Sequence, residues 1–188
     1  MIERMNKRRA AILCPGPSLT ATWPGENKYD IVIAVNRAAN IATANYWVTL
    51  DPRTWSISKP LGNPTIVCAK NNYKLICRRD PLAECHSHLK HKPGEIPSEV
   101  IRWPRFGATV ALELSYRLAA TEVDCYGVDM AGVADFDGYH DGKQVRSAAR
   151  WNGEREIWDA LTDELTARGV KVRRFLGSAE KVGEVAHG

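Results

Sequence analysis

Residues 14–19 are the part of this sequence whose residue types and spacing most directly suggest a chemistry. They read Cys-Pro-Gly-Pro-Ser-Leu and follow an apolar run of strand length. A strand, a glycine-containing turn and a helix start together present backbone N–H groups and a helix N-terminus to a phosphate. Because the two prolines have no N–H group, only Gly16, Ser18 and Leu19 are expected to donate. The segment therefore predicts a phosphate-binding turn, and a rigid structural turn is the alternative.

Polar residues also follow three later apolar runs. The second run leads into Asn36 and Arg37, the third into Asp51 and the fifth into Asp129. Ligands of open parallel sheets bind beyond the carboxyl ends of the strands, so we expect these residues to lie at one nucleotide site. Asn36 stands where an NAD enzyme usually has an acidic residue, and Arg37 suits the 2′-phosphate of NADP. The absence of a Gly-x-Gly-x-x-Gly loop argues against either dinucleotide.

His140 is the candidate general base, which would take a proton from an attacking hydroxyl. It lies in the polar, glycine-rich segment 135–143, just after the fifth apolar run. A solvated side chain is the alternative interpretation. Asp129 is the second candidate catalytic group. Three neighbours have groups suited to phosphate oxygens: Tyr139, Lys143 and Arg146.

Two groups of residues have metal-ligand side chains, but neither predicts a metal site. Four aspartates could hold Mg²⁺ for a pyrophosphoryl transfer from ATP, but turn formation and solvated charges account for them better than metal ligation does: Asp129, Asp135, Asp137 and Asp141. The second group consists of Cys77, Cys85, His86, His88 and His91. It lacks the tight Cys-x-x-Cys pairs typical of zinc sites, so histidines on the surface are the favoured interpretation.

The composition is that of an ordinary globular domain. The chain has 188 residues, of which 44% are hydrophobic and 26% are charged. It contains no apolar run long enough to span a membrane and no signal-peptide pattern, so we expect a cytoplasmic protein with reduced thiols. The net charge of +4 comes from short basic clusters, which permit a nucleic-acid partner without indicating one. The oligomeric state is left open.

Strand-length apolar runs and helical patterns predict an α/β fold. Several runs are nearly continuous, which is typical of strands covered on both faces. They lie at 10–14, 30–35, 46–50, 65–68, 123–128 and 170–176. The 3.6-residue periodicity predicts helices over 109–120 and 154–168. We expect a single Rossmann-like domain over 1–188, with a mostly parallel sheet, helices on both faces and an irregular insertion or lid at 77–104.

Four short segments resemble the motifs of a known superfamily, and they occur in the same order. Residues 12–19 resemble its Gly-x-Gly-Pro-Ser-Leu turn, and residues 30–36 its second strand, which ends in Asn. Residues 106–109 open a helix like its Thr-Ser-Gly or Gly-Ser/Thr turn. Residues 123–129 are similar to its strand with a Gly-(Ile/Val/Gln)-Asp ending. The superfamily contains the small bacterial CMP-sialic acid sialyltransferases and the related 6-hydroxymethylpterin pyrophosphokinase-like domains.

The resemblance implies which residues hold a nucleotide and which one acts as base. Matched to the sialyltransferase motifs, the nucleotide-holding positions are Gly16, Ser18, Asn36, Gly107, Ala108 and Thr109. Those enzymes use a histidine from the region after the last of these strands, which corresponds to His140. Two positions depart from the pattern, with Pro15 in place of a nucleotide-contacting Asn and Ala108 in place of a common Ser. The identity of the nucleotide is therefore left open.

These observations predict a transferase that uses an activated nucleotide donor. The reading that fits best is a nucleotide-sugar glycosyltransferase with inversion, acting on an unidentified acceptor. The donor is then a substrate, and no tightly bound cofactor is expected. An ATP- and Mg²⁺-dependent pyrophosphokinase-like transferase and a non-catalytic nucleotide-binding module are the alternatives.

Overall fold

A six-stranded parallel sheet forms the centre of the protein. The computed structural model describes residues 7–68, 106–140 and 146–177. The strands are β1 Arg9–Leu13, β2 Ile31–Val35, β3 Tyr46–Thr49, β4 Thr65–Cys68, β5 Glu122–Tyr126 and β6 Lys171–Phe175. Every neighbouring pair is parallel, in the order β4-β3-β2-β1-β5-β6. The predicted α/β fold is confirmed. The predicted insertion at 77–104 lies outside the described residues.

Helices cover both faces of the sheet. They are α1 Leu19–Thr22, α2 Pro52–Ile57, α3 Gly107–Arg117 and α4 Ala148–Ala167, with short 3₁₀ helices at Glu26–Lys28 and Asn36–Asn40. The predicted start of α4 at residue 154 is wrong. The helix begins at Ala148, because the Ser147 side chain accepts a hydrogen bond from the Arg150 N–H at 3.3 Å and caps it. No helix in the described ranges has the length and apolarity needed to cross a membrane.

Two apolar layers, one on each face of the sheet, form the core. Ile12 and Ile33 point to the face covered by α3 and α4, and both are fully buried. Leu13 and Ala34 point to the other face, where the shorter helices pack, and are also fully buried. Burying one such large side chain contributes about 1.5–3 kcal/mol. This two-sided burial explains why β1 and β2 are nearly continuous apolar runs.

The order in which successive strands are added to the sheet reverses between β1 and β5. From β1 the strands proceed to β2, β3 and β4 on one side, whereas β5 and β6 lie on the other side. The helices that follow β1 and β5, α1 and α4, pack on opposite faces of the sheet. In α/β sheets such a switch point leaves a crevice in which ligands bind.

Candidate functional site

A cleft of about 150 Å³ lies at this switch point. Its walls come from the turn after β1, the end of β2, the start of α3, the segment after β5 and the start of α4. Polar and glycine positions on its surface include Gly16, Asn36, Gly107, Asp129, Asp135 and Glu154. The structure thus brings five predicted site residues to one place: Gly16, Asn36, Gly107, Ala108 and Asp129.

Gly16 is required by the close approach of the segments that follow β1 and β5. Its N–H donates to the carbonyl oxygen of Gly127 at 3.0 Å. A Cβ atom at position 16 would stand 2.5 Å from Oδ2 of Asp129 and closer still to the Gly127 oxygen. Gly127 has a φ of +66° and packs against the carbonyl of Cys14. Because a side chain fits at neither glycine, these two positions allow the strand ends to lie against each other.

Asp129 occupies the hydrogen-bond donors of the turn after β1. The Ser18 N–H donates to Oδ2 of Asp129 at 2.7 Å, and the Ser18 hydroxyl donates to Oδ1. The Leu19 N–H donates to the carbonyl of Gly16 at 3.1 Å. The expectation that the N–H groups of Gly16, Ser18 and Leu19 face a phosphate is therefore corrected for this structure, since all three donate within the protein. The buried carboxylate of Asp129, in the segment after β5, takes the Ser18 donors that the turn was predicted to offer to a ligand anion.

Asn36 lies at the end of β2 and lines the cleft. Its backbone has a φ of +48°, a left-handed conformation that Asn adopts more readily than most residues. The indole N–H of Trp47 donates to its carbonyl at 2.9 Å, and the Thr54 hydroxyl donates to its side-chain oxygen at 3.4 Å. The side-chain NH₂ group of Asn36 has no hydrogen-bond partner in the described part of the chain. It is therefore available to a ligand.

The N-terminus of α3 opens into the same cleft. Phe106, Gly107 and Ala108 line the cleft, whereas Thr109 is fully buried and its hydroxyl donates to the Phe106 carbonyl at 2.8 Å. A Cβ atom at Gly107 would stand 2.5 Å from Cγ1 of Val35, so glycine lets α3 pack directly on β2. The first N–H groups of a helix have no partner within the helix and attract anions. Gly107 and Ala108 thus provide the anion-binding character that the turn after β1 lacks.

The segment after β5 folds back onto the turn after β1. The Phe136 N–H donates to the carbonyl of Pro15 at 2.9 Å. A tight turn follows, in which the N–H of Gly138 donates to the Asp135 carbonyl at 3.0 Å and the N–H of Asp135 donates to the Tyr139 carbonyl at 2.8 Å. These bonds close one side of the cleft.

Two arginines hold this turn in place. Arg37 forms a two-point ion pair with Asp137, with Nη1 2.8 Å from Oδ1, and its guanidinium lies 4.2 Å from the centre of the Tyr139 ring. Arg146 Nη2 lies 2.8 Å from Oδ1 of Asp135. Burial raises the pKa of Asp135, and the Arg146 hydrogen bond opposes that rise. Arg37 is therefore engaged inside the protein, which does not favour the 2′-phosphate role considered for it.

The first turns of α4 provide another part of the cleft wall. The indole N–H of Trp151 donates to the carbonyl of Gly132 at 3.1 Å, and Arg155 Nη2 donates to the carbonyl of Met130 at 2.9 Å. These bonds fix the first two turns of α4 against the segment that leaves β5. Glu154 lies on those turns and lines the cleft.

Five predicted site residues do not line the cleft: Ser18 and Thr109, whose hydrogen bonds are given above, and Leu19, Asp51 and His140. Leu19 is fully buried in the core. Asp51 caps α2 by accepting the Arg53 N–H at 2.9 Å, and hydrogen bonds from the Arg53 side chain hold the pKa of Asp51 below its usual value. His140 is exposed at the end of the described segment after β5. A catalytic role for His140 or Asp129 stays a prediction.

The described ranges contain two thiols that are shielded by burial. They contain no group of side chains that could hold a metal ion. Cys14 and Cys125 are free and buried. Burial raises the pKa of both thiols, and for Cys14 the neighbouring carboxylates add to the rise. Within 7–68, 106–140 and 146–177, no three His, Cys, Asp or Glu side chains are grouped to hold a metal ion. Lys143, Asp141 and the cluster from Cys77 to His91 lie outside the described residues.

The first turns of α4 contribute to the cleft, which the sequence pattern does not predict. Arg150, Trp151 and Glu154 all line the cleft, but the helix was predicted to begin only at residue 154. Ser147 is a favoured N-cap residue and stands directly before two alanines, so a signal for the earlier start was present.

Solved structures of other proteins resemble the structure of this chain. No protein-family model and no curated protein sequence matches this chain. The sialyltransferase CST-II in complex with a trisaccharide acceptor and CMP has a TM-score of 0.57 and 13% identity, over 93% of this chain and 84% of that one. The sialyltransferase CstII from Campylobacter jejuni in complex with the substrate analogue CMP-3FNeuAc has a TM-score of 0.55 and 11% identity, over 91% and 82%. At these identities the likeness shows a shared fold. The pyrophosphokinase part of the resemblance stays a prediction.

Proposed function

We propose that this protein is a transferase that binds a sugar nucleotide in the switch-point cleft and transfers the sugar to an acceptor hydroxyl. The observation that carries the proposal is the convergence of two ligand-ready groups on one cleft. They are the unbonded side-chain NH₂ of Asn36 and the N-terminus of α3. The fold likeness to sialyltransferases solved with CMP and with a CMP-sugar analogue supports the same conclusion.

The start of α3 suits the phosphate of such a donor. The N–H groups of Gly107 and Ala108 belong to the first turn of an 11-residue helix, where the helix dipole favours an anion. Glycine at position 107 lets the start of α3 lie directly on Val35, next to Asn36 at the end of β2. The amides of the turn after β1 donate within the protein, so α3 is the better candidate for the phosphate.

Asn36 suits the base or ribose of the nucleotide. Its carbonyl and side-chain oxygen are both held by neighbours, so the side-chain orientation is defined before a ligand arrives. Such preorganisation lowers the entropic cost of binding. The free NH₂ group then donates to a carbonyl, ring nitrogen or hydroxyl oxygen of the nucleotide.

The proposed reaction is a displacement at the anomeric carbon. The acceptor oxygen forms a bond to that carbon, the bond from the carbon to the nucleotide phosphate oxygen breaks, and the nucleotide leaves with the electron pair. The acceptor's proton passes to a base in the cleft. Positive groups at the phosphate, including the start of α3, stabilise the departing charge.

A thermal-shift panel of CMP, UDP, GDP and ATP, each with and without Mg²⁺, tests the proposal. A nucleotide at a hundredfold excess over Kd stabilises the protein by about 2.7 kcal/mol, which raises Tm by about 5–10 °C for a chain of this size. We expect CMP or UDP to do so without metal. Stabilisation by ATP that requires Mg²⁺ would favour the pyrophosphokinase alternative. Binding without turnover of any sugar nucleotide would favour the non-catalytic module.

Asn36→Gly is the matched test of the site itself. Glycine tolerates the positive φ at this position, so the variant removes the side chain and keeps the turn. Losing one hydrogen bond is expected to weaken nucleotide binding by about 1 kcal/mol, or about fivefold. Asn63→Gly, at an exposed position that does not line the cleft, is the control. Equal affinity in the two variants would remove Asn36 from the site.

A further inference from the structure

Three carboxylates line the described part of the cleft, and two of them are held on both oxygens. Asp129 accepts the N–H and the hydroxyl of Ser18, one on each oxygen. Asp135 has Arg146 at 2.8 Å from Oδ1 and Arg37 at 3.7 Å from Oδ2. Each oxygen of these two carboxylates thus already faces a donor or a guanidinium of the protein, so a ligand proton would have to share it with that group.

Glu154 differs from these two carboxylates. Its Oε1 lies 2.9 Å from Nε of Arg150, one turn earlier in α4. Its Oε2 has no partner among the described residues. The side chain is 15% exposed, so it is shielded from bulk water and still open to the cleft. The Arg150 contact fixes the orientation of the carboxylate and leaves one oxygen available.

The position of Glu154 is set by rigid elements. Trp151 and Arg155, on either side of it in α4, are bonded to the backbone of the segment after β5. Glu154 lines the cleft together with Cys14 and Asp129, which lie beyond the carboxyl ends of β1 and β5. His140, by contrast, is exposed and does not line the cleft.

We infer that Glu154 is the general base of the transfer, an assignment that rests on the proposed function. As the acceptor oxygen bonds to the anomeric carbon, its proton passes to Oε2 of Glu154. The bond from the sugar to the nucleotide phosphate breaks, and the nucleotide leaves. Arg150 keeps Oε1 in place throughout.

The experiment compares Glu154→Gln with Glu164→Gln on the same helix. Glu164 forms the equivalent one-turn ion pair with Arg168, at 2.8 Å, and does not line the cleft. Each variant therefore loses one ion pair between a glutamate and an arginine one helical turn away. The assay is release of CMP from CMP-N-acetylneuraminate with water as acceptor, or of UDP from UDP-N-acetylglucosamine if UDP gives the larger thermal shift.

We expect Glu154→Gln to lower kcat by about 10²–10⁴-fold, the usual contribution of general base catalysis, with KM changed by less than about threefold. The acid limb of the pH profile of kcat should disappear in this variant. The thermal shift with nucleotide should match that of the wild type. Glu164→Gln should retain the kcat, KM and pH profile of the wild type.

Azide distinguishes a base from a structural group. Azide attacks carbon without losing a proton, so it should restore turnover of Glu154→Ala by forming the glycosyl azide as the nucleotide leaves. If Glu154→Gln keeps kcat within threefold, or if azide fails to restore Glu154→Ala while its nucleotide shift is intact, the assignment is wrong. Loss of activity in His140→Ala alone would assign the base to His140 instead. A wild-type protein that shows neither a nucleotide shift nor donor breakdown refutes the proposed function, and with it the base.

Discussion

Replacing Gly16 with alanine is expected to destabilise the fold by about 3 kcal/mol. The added Cβ atom would stand 2.5 Å from Oδ2 of Asp129 and closer still to the carbonyl oxygen of Gly127. Neither neighbour can rotate away, because one is backbone and the other is a carboxylate held by Ser18. The turn after β1 must therefore move away from β5.

The magnitude follows from the contacts that this movement strains. Overpacking at a buried site costs about 1–3 kcal/mol. The Gly16 bond to Gly127 and the charge-assisted bond from Ser18 to Asp129 are lengthened, and a weakened bond to a charged group adds about 1 kcal/mol or more. A loss of about 3 kcal/mol corresponds to a drop in Tm of about 6–12 °C for a domain of this size.

Gly153→Ala is the matched control, because the same change should have the opposite sign there. Gly153 lies inside α4, and a Cβ atom at this position meets no atom within 4 Å. Alanine in a helix interior is favoured over glycine by about 0.5–1 kcal/mol, which raises Tm by about 1–4 °C. Urea unfolding of both variants measures the two effects. A Gly16→Ala protein as stable as the wild type would refute the close approach of the two strand ends.

Other expected outcomes concern titration, thiol reactivity and the turn after β1. Because the pKa of Asp51 is lower in the folded protein than its usual value of 3.8, the Asp51 carboxylate stabilises the fold above pH 3.8. This contribution is lost as the pH falls through the pKa of the folded state. The Tm advantage of the wild type over Asp51→Asn should therefore shrink in acid. The raised pKa of Asp135 gives the opposite pH dependence of stability. Its contribution is present below pH 3.8 and is lost as the pH rises through the pKa of the folded state. As the pH increases through this range, Asp135→Asn should therefore gain stability relative to the wild type. Cys14 and Cys125 should resist iodoacetamide in the native protein and react only on unfolding, as followed by peptide mass spectrometry; rapid native labelling would contradict their burial. Ser18→Ala should cost about 1–2 kcal/mol in urea unfolding and Ser18→Thr less, because only threonine keeps the hydroxyl donor to the buried carboxylate.

The strands of the sheet were predictable because each one is visible in its own short stretch of sequence. A strand buried on both faces must be apolar along its whole length, so β2 is visible as Ile-Val-Ile-Ala-Val without knowledge of its neighbours. Helix α3 was likewise visible from its periodic apolar face. The start of α4 was missed because Ser147 and the alanines after it carry no apolar periodicity, and capping alone sets that boundary.

The sequence also predicted where the candidate site lies, at the carboxyl ends of the strands, because the polar residues that follow each strand are a local feature. Which groups remain free to act was decided only by the tertiary structure. Ser18 and Asp129 are far apart in sequence, and their pairing removes the donors that the turn after β1 was predicted to offer. The same packing leaves Asn36, the start of α3 and Glu154 available to a ligand. Hydrogen-bonding capacity belongs to each residue alone, but whether it is already used depends on partners that only the folded chain brings within reach.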